Sequence, residues 1–121
     1  MFQIKKVKKK PKYNNKKVII DNITFHSTKE GKRYLDLKIL LRVGKIFDLK
    51  LQPKFLLHDS FRYQGKTERK IHYIADFSYI ENKKVIIEDV KGKKTEVYKI
   101  KRKMFLMKYV IDNDLMEFRE T

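Results

Sequence analysis

Between Lys70 and Gly92 the sequence KIHYIADFSYIENKKVIIEDVKG carries two carboxylates and an ammonium at a spacing that a β-hairpin would bring together. Ile71 to Tyr79 alternates and is rich in aromatic and β-branched residues. Glu81-Asn82-Lys83 has turn chemistry, and Val85 to Val90 is an apolar run of strand length. With the turn near Asn82, Asp76 falls opposite Glu88 or Asp89, and directly opposed side chains have Cβ atoms roughly 5 Å apart. Asp89 and Lys91, two apart on one strand, share a face, whereas Glu88 points to the other and is the lesser candidate. Carboxylates so close repel unless one is protonated or a cation lies between them. The arrangement suits a metal site; a cross-strand salt-bridge set with no metal is the alternative.

The elements that would position these groups can be read in order. Val18 to Phe25 is a short extended segment. Ser27-Thr28-Lys29-Glu30 fits a capping box and opens a helix that runs to about Val43 and stops at Gly44. Tyr34, Leu37 and Leu41 form its apolar line, and Glu30 lies one turn ahead on that line, so its carboxylate faces the sheet unless it only completes the cap. Ile46 to Leu57 gives a strand broken at Pro53, which has no N–H for a ladder, with Gln52 at the strand end. Gln64-Gly65-Lys66 is a turn leading into the Ile71 strand. Thr95 caps a second helix with an apolar stripe of Val97, Ile100, Met104, Met107 and Ile111, ending at Asn113, and Leu115 to Arg119 adds a last strand. The class is α/β, a mixed sheet flanked by helices.

The chain has 121 residues, enough for one core, and 31 Lys+Arg against 15 Asp+Glu give a net charge of +16. Such an excess predicts a polyanionic partner, nucleic acid first. Residues 1–17 hold eight lysines and no acid. They are expected to be a flexible basic arm ahead of a domain over residues 18–121, with Lys8, Lys9, Lys10 and Lys12 as phosphate contacts, joined by Lys99 and Lys103 on the second helix. No stretch approaches the roughly 20 apolar residues of a membrane span, and the N-terminus has no apolar signal region, so no membrane partner is expected. The absence of cysteine removes disulfides and thiolate metal sites and fits a cytoplasmic location. His26, His58 and His72 lack the close pairing of a zinc motif, which leaves an oxygen-liganded metal. His72 shares the face of Asp76, although a structural histidine is the commoner outcome.

Taken together, these residues resemble the PD-(D/E)XK nuclease superfamily, whose restriction-endonuclease-like core is written αβββαβ. Asp76 matches its first acid, Asp89-Val90-Lys91 its (D/E)-X-K tripeptide, and Glu30 the additional acid on the opening helix of archaeal Holliday-junction resolvases and the Tn7-type transposase nuclease subunit. Gln52-Pro53 is similar to a Gln-Pro that follows that helix in the latter group. The blocks ITFHSTKEGKRYLDL, LQPKF, YIADFSY, EDVKG and TEVYKIKRKMF, over roughly residues 18–119, resemble a family of small uncharacterised phage-encoded proteins. That family more often has Asp at the position of His26 and Ala at that of Gly31.

The resemblance implies Mg²⁺ or Mn²⁺ held by Glu30, Asp76, Asp89 and the carbonyl of Val90. It gives Lys91 the role of orienting the attacking water or stabilising developing charge, and Gln52 a supporting one. It implies a metal-dependent DNA endonuclease acting on branched DNA, such as a Holliday junction, or on duplex DNA. The enzyme would be a homodimer, working in the host cytoplasm if phage-encoded. The alternative is a non-catalytic nucleic-acid-binding module in which Phe61, Tyr63, Tyr73, Phe77 and Tyr79 stack bases.

Overall fold

The computed structural model describes residues 16–121. The expected basic arm, with Lys8, Lys9, Lys10 and Lys12, lies almost wholly outside them. The opening extended segment is a hairpin of Val18–Ile20 (β1) and Ile23–Phe25 (β2). Asp21 and Asn22 turn it with φ of 54° and 63°, the left-handed pair that a tight two-residue turn demands and that short polar side chains tolerate.

Thr28–Arg42 (α1) starts where the capping residues place it: the Ser27 hydroxyl accepts from the Glu30 N–H at 3.1 Å, and Gly44 follows the end with φ 79°. Glu30, Gly31, Tyr34 and Leu37 are its buried face. Leu41, at the last turn of the helix, is exposed, and Leu40 packs on the core instead. Gly31 has a packing reason: a Cβ there would lie 2.6 Å from Val18 Cγ2 and 3.2 Å from Ile20 Cδ1, so α1 and β1 meet where only hydrogen fits.

The architecture is α/β, dominated by strands. Its centre is a four-stranded mixed sheet of Phe47–Leu51 (β3), Phe77–Glu81 (β8), Lys84–Asp89 (β9) and Met116–Glu120 (β10), in the order β10-β9-β8-β3. β8 is antiparallel to both neighbours, and β9 and β10 are parallel. Parallel neighbours need a crossover connection. Glu96–Phe105 (α2), capped by the Thr95 hydroxyl and extended by a π-helical turn over Leu106–Val110, lies within that connection. On one face of the sheet α1 closes a core of Phe25, Tyr34, Leu37, Ile46, Phe77, Tyr79, Ile86 and Val90. On the other, α2 and the π turn pack Tyr98 and Phe105 on Tyr73, Leu57 and Ile87.

The face of α2 that packs differs from expectation. Val97, Ile100, Met107 and Ile111 are exposed, and of the aliphatic line only Met104 packs, partly buried, on the core. Aromatic residues take the buried positions: Phe105 lies 4.9 Å from Tyr73, 4.8 Å from Phe55 and 5.7 Å from Phe118, centroid to centroid. Each ring buries more apolar surface than an aliphatic side chain and adds edge and tilted ring contacts.

A second difference concerns the strand through Asp76. Ile71 to Tyr79 is not one strand but Ile71–Ile74 (β7) and β8, with Ala75 and Asp76 between them. The partner breaks at the same level, into β3 and Lys54–His58 (β4), as Pro53 requires. Gln52 N–H to Asp76 C=O at 2.9 Å and Ala75 N–H to Pro53 C=O at 3.1 Å bridge the gap, with Gln52 at φ 52°. Tyr73 and Ala75 pack on the α2 side, whereas Phe77 and Tyr79, at the same alternation, pack on the α1 side. The break therefore turns the ribbon over between the two helices, as bulges re-aim side chains. Beyond β4 and β7 the ribbon continues as Phe61–Tyr63 (β5) and Lys66–Glu68 (β6). Among the described residues no helix is long and apolar enough to cross a membrane.

Candidate functional site

Asp76 lies in the break of the ribbon, Asp89 at the end of β9 and Glu30 in the first turn of α1. The pairing of Phe77 with Glu88, continued one step, sets Asp76 opposite Asp89, the second of the two registers open from sequence. Asn82 and Lys83, with φ of 52° and 68°, fix that register through a tight turn.

Asp76 is pinned from both ends. Its N–H donates to the Glu88 carbonyl at 3.1 Å, and its Oδ2 accepts from the Val90 N–H at 2.7 Å. Asp89 is fully buried; the Tyr73 hydroxyl donates to its Oδ2, and its Oδ1 is buried with no hydrogen-bond donor among the described residues. Lys91 Nζ stands 3.4 Å from that oxygen, an ion pair without hydrogen-bond alignment, and lies 4.5 Å from the centroid of the Tyr98 ring. β10 holds the same stretch by its backbone: Thr121 N–H donates to the Asp89 carbonyl at 2.9 Å, and Lys91 N–H to the Thr121 carbonyl at 3.1 Å. Lys29 Nζ donates to the Lys91 carbonyl at 3.1 Å, tying α1 to the tripeptide.

The three acids sense one another. Burial raises the pKa of Glu30, with the Asp89 charge adding to it, while bonding with Asp76, the His26 backbone and the Lys91 charge oppose. Asp76 is likewise raised, first by burial and then by the Glu30 charge, against the pull of Asp89, the Val90 N–H and Lys91. Asp89 is pushed up to about 7 by burial and the Asp76 carboxylate, despite Tyr73 and Lys91. Together they form an acidic cluster that one lysine does not neutralise, in which a proton is retained near neutral pH. The Glu30 carboxyl is thus coupled to the His26 backbone and to Asp76.

The cluster is not a finished cage. Among the described residues no group of three or more His, Cys, Asp or Glu side chains is arranged to hold a metal ion. The donor chemistry nevertheless fits a hard cation, since a buried Asp89 oxygen lacks a donor, the Asp76 carboxylate is coupled to it, and Glu30 is bonded to Asp76. Mg²⁺ commonly uses one or two carboxylates, retained waters and substrate phosphate rather than an all-protein set.

Other expected residues are placed apart from the cluster. Gln52 reaches Asp76 only through its backbone, and its exposed side chain makes no hydrogen bond among the described residues. His72 is surrounded by Lys54, Lys70 and Lys101, and desolvation together with those charges lowers its pKa. Lys99 and Lys103 line a shallow recess with Lys94, Arg102 and Glu120 on the outer side of α2. Glu88 is a structural group: completely buried, it takes two bonds from Arg33, at 2.6 and 3.0 Å, one from Tyr79 and one from Thr121 at 2.9 Å. Burial alone would raise its pKa, but these donors bring it below the ordinary value. Sequence reasoning missed Tyr73 and Lys29. Alternation along the hairpin hid Tyr73, because it sets that odd-numbered residue with Phe77 and Tyr79 on the face away from Asp76, and only the turning-over of the ribbon brings it to Asp89.

A family model described as "Protein of unknown function (DUF1064)" matches residues 10–117. The chain belongs to that family. The match takes in every element from β1 to α2, so the acidic cluster lies within the family's extent. No curated protein and no solved structure matches the chain.

Proposed function

We propose that this protein is a metal-dependent endonuclease that hydrolyses phosphodiester bonds in DNA, with Asp76, Asp89, Glu30 and Lys91 as its working residues. The observation that carries the reading is the buried Asp89 oxygen left without a donor, coupled to the Asp76 carboxylate and beside an ammonium, with Glu30 bonded to Asp76, in a chain of net charge +16. The order α1, β3, β8, β9, α2, β10 supports a restriction-endonuclease-like core, with the β4–β7 ribbon as an insertion between its first two strands.

Asp76, Asp89, Glu30 and the Val90 carbonyl would hold Mg²⁺ or Mn²⁺. Such an ion supplies positive charge against the phosphate and lowers the pKa of water at neutral pH. The chain's own residues supply position. Tyr73 fixes Asp89, the Val90 N–H fixes Asp76, and β10 fixes the backbone on either side of Val90. Lys91, stationed between Asp89 and the Tyr98 ring, presents its ammonium to a phosphate oxygen or to the attacking water, where charge develops. Branched DNA is the proposed substrate class.

The absence of a ready three-carboxylate set among the described residues favours one other reading, a non-catalytic module that only binds nucleic acid. Incubating the protein with a fixed four-way junction, a flap, a single strand and a duplex, with and without Mg²⁺ or Mn²⁺, separates the two. Cation-dependent cutting of any of them supports the enzyme. Binding without cutting under every condition leaves the module.

A further inference from the structure

All six residues of β5 and β6 are exposed, so the end of the ribbon projects into solvent. A bare two-stranded hairpin is marginal in water. This one is held in shape by a Gln64-Gly65 turn with φ of 48° and 78°, and by Arg62, whose guanidinium bonds Thr67 Oγ1 at 2.9 Å and the Gly65 carbonyl at 2.6 Å. Phe61 and Tyr63, two apart on one strand, project from the same face and are 50% and 60% exposed. The other three aromatics named as possible base-stackers, Tyr73, Phe77 and Tyr79, are core. Around the exposed pair, residues 61–70 carry Arg62, Lys66, Arg69 and Lys70 against one carboxylate, Glu68, and all of these are exposed.

An aromatic pair set among cations, on a ribbon with no core of its own, has the makeup of a stacking platform beside phosphate contacts. A hydrophobic protein partner would have to desolvate those four cations with little to pair them. We propose that Phe61 and Tyr63 stack on unpaired bases of a nucleic acid, with Lys66, Arg69 and Lys70 on the adjoining phosphates. The inference rests on the nucleic-acid reading above and sharpens it to a substrate class. The ribbon continues the strands that hold Asp76. Lys66 lies ten positions before Asp76. At about 3.3 Å per residue the tip lies no more than roughly 33 Å from that carboxylate, about one turn of duplex. Unpaired bases within a turn of the scissile phosphate occur at branch points, flaps and single strands, and not in continuous duplex.

The chain has no tryptophan, so Tyr63→Trp installs a single indole on the platform. It would be titrated without divalent cation against an oligothymidylate of about 15 nucleotides, an abasic strand of the same length, and heparin. The thymine strand should quench the indole by about half, as stacking does, and the two base-free polyanions should leave it nearly unchanged. The double variant Phe61→Ala/Tyr63→Ala should bind the thymine strand about tenfold or more weakly while keeping the thermal midpoint of the parent, since neither side chain enters the core. Equal quenching by heparin, an unchanged affinity in the double variant, or no binding of the strand at all would each overturn the proposal. Cutting by the parent protein with no base-dependent quenching condemns the platform alone. Base-dependent quenching with no cutting on any substrate condemns the endonuclease and leaves the platform standing.

Discussion

In the metal-free protein Asp89 keeps a proton to neutral pH because it is buried beside Asp76, and its ionisation works against folding. Asp89→Asn removes that ionisation. Asn still offers an oxygen to the Tyr73 hydroxyl, and its amide can donate toward Asp76. The pKa stands at about 7 against an ordinary 3.8. At about 1.4 kcal/mol per unit this sets a ceiling of roughly 4 kcal/mol, part of which Asp76 and Glu30 recover by taking up protons themselves, so about 2 kcal/mol is expected. The sign follows from proton counts. Between about pH 4 and pH 7 the folded state binds more protons at this site than the unfolded state, so stability falls as pH rises through that window. Urea unfolding in chelator at about pH 5 and about pH 8 measures it. The variant should be more stable than the parent at the higher pH, with less than half of that advantage left at the lower. A parent equal to or more stable than the variant near pH 8 would refute the claim that these carboxylates strain the fold.

Divalent cation should reverse that order. Mg²⁺ or Mn²⁺ at about a hundred times its dissociation constant adds roughly 2.7 kcal/mol to the parent. The gain should grow from about pH 6 to pH 8, as the ion no longer competes with the proton, and should vanish in Asp89→Asn; thermal midpoints with and without the ion report it. Arg33→Ala strands the completely buried Glu88 carboxylate and should cost about 3 kcal/mol, read by urea unfolding at neutral pH, although Glu88 belongs to no proposed chemistry. Deleting residues 1–17, with their eight lysines, should weaken DNA binding and flatten its salt dependence by about 0.9 for each phosphate those lysines neutralise. An unchanged slope in a salt titration would mean that these lysines do not touch the backbone.

Features set by local chemistry are legible in the sequence. Ser27 at the start of α1, Gly44 past its end, the Asn82 turn and the Pro53 break each reflect a backbone rule that needs no knowledge of the rest of the chain. The same rules place Asp76 near Asp89 to within one residue. What stays hidden depends on partners distant in sequence. No local pattern tells that Arg33 and Glu88, 55 residues apart, would pair. The choice between the aliphatic and aromatic faces of α2 is decided by Phe55, Tyr73 and Phe118 on three other strands. The turning-over of the ribbon is hidden because alternation through Ile71 to Tyr79 is unbroken. Only the Pro53 break on the facing strand marks it, and nothing local says that a break in one strand is shared by its partner. The β1–β2 hairpin looks like one extended segment because its turn, Asp21-Asn22, contains neither Gly nor Pro to announce it.

The most direct test is single-turnover cleavage of an end-labelled four-way junction in Mn²⁺ by the parent protein and by Asp76→Asn. Asp76 is the half-buried acid of the cluster, and its Oδ2 is set by a backbone N–H that the variant's carbonyl can still accept from. The account predicts cutting by the parent, abolished by chelator, and a loss of about a thousandfold or more in a variant that still folds and binds the junction. A parent that cuts no faster than buffer, or an Asp76→Asn protein that cuts as fast as the parent, would contradict it.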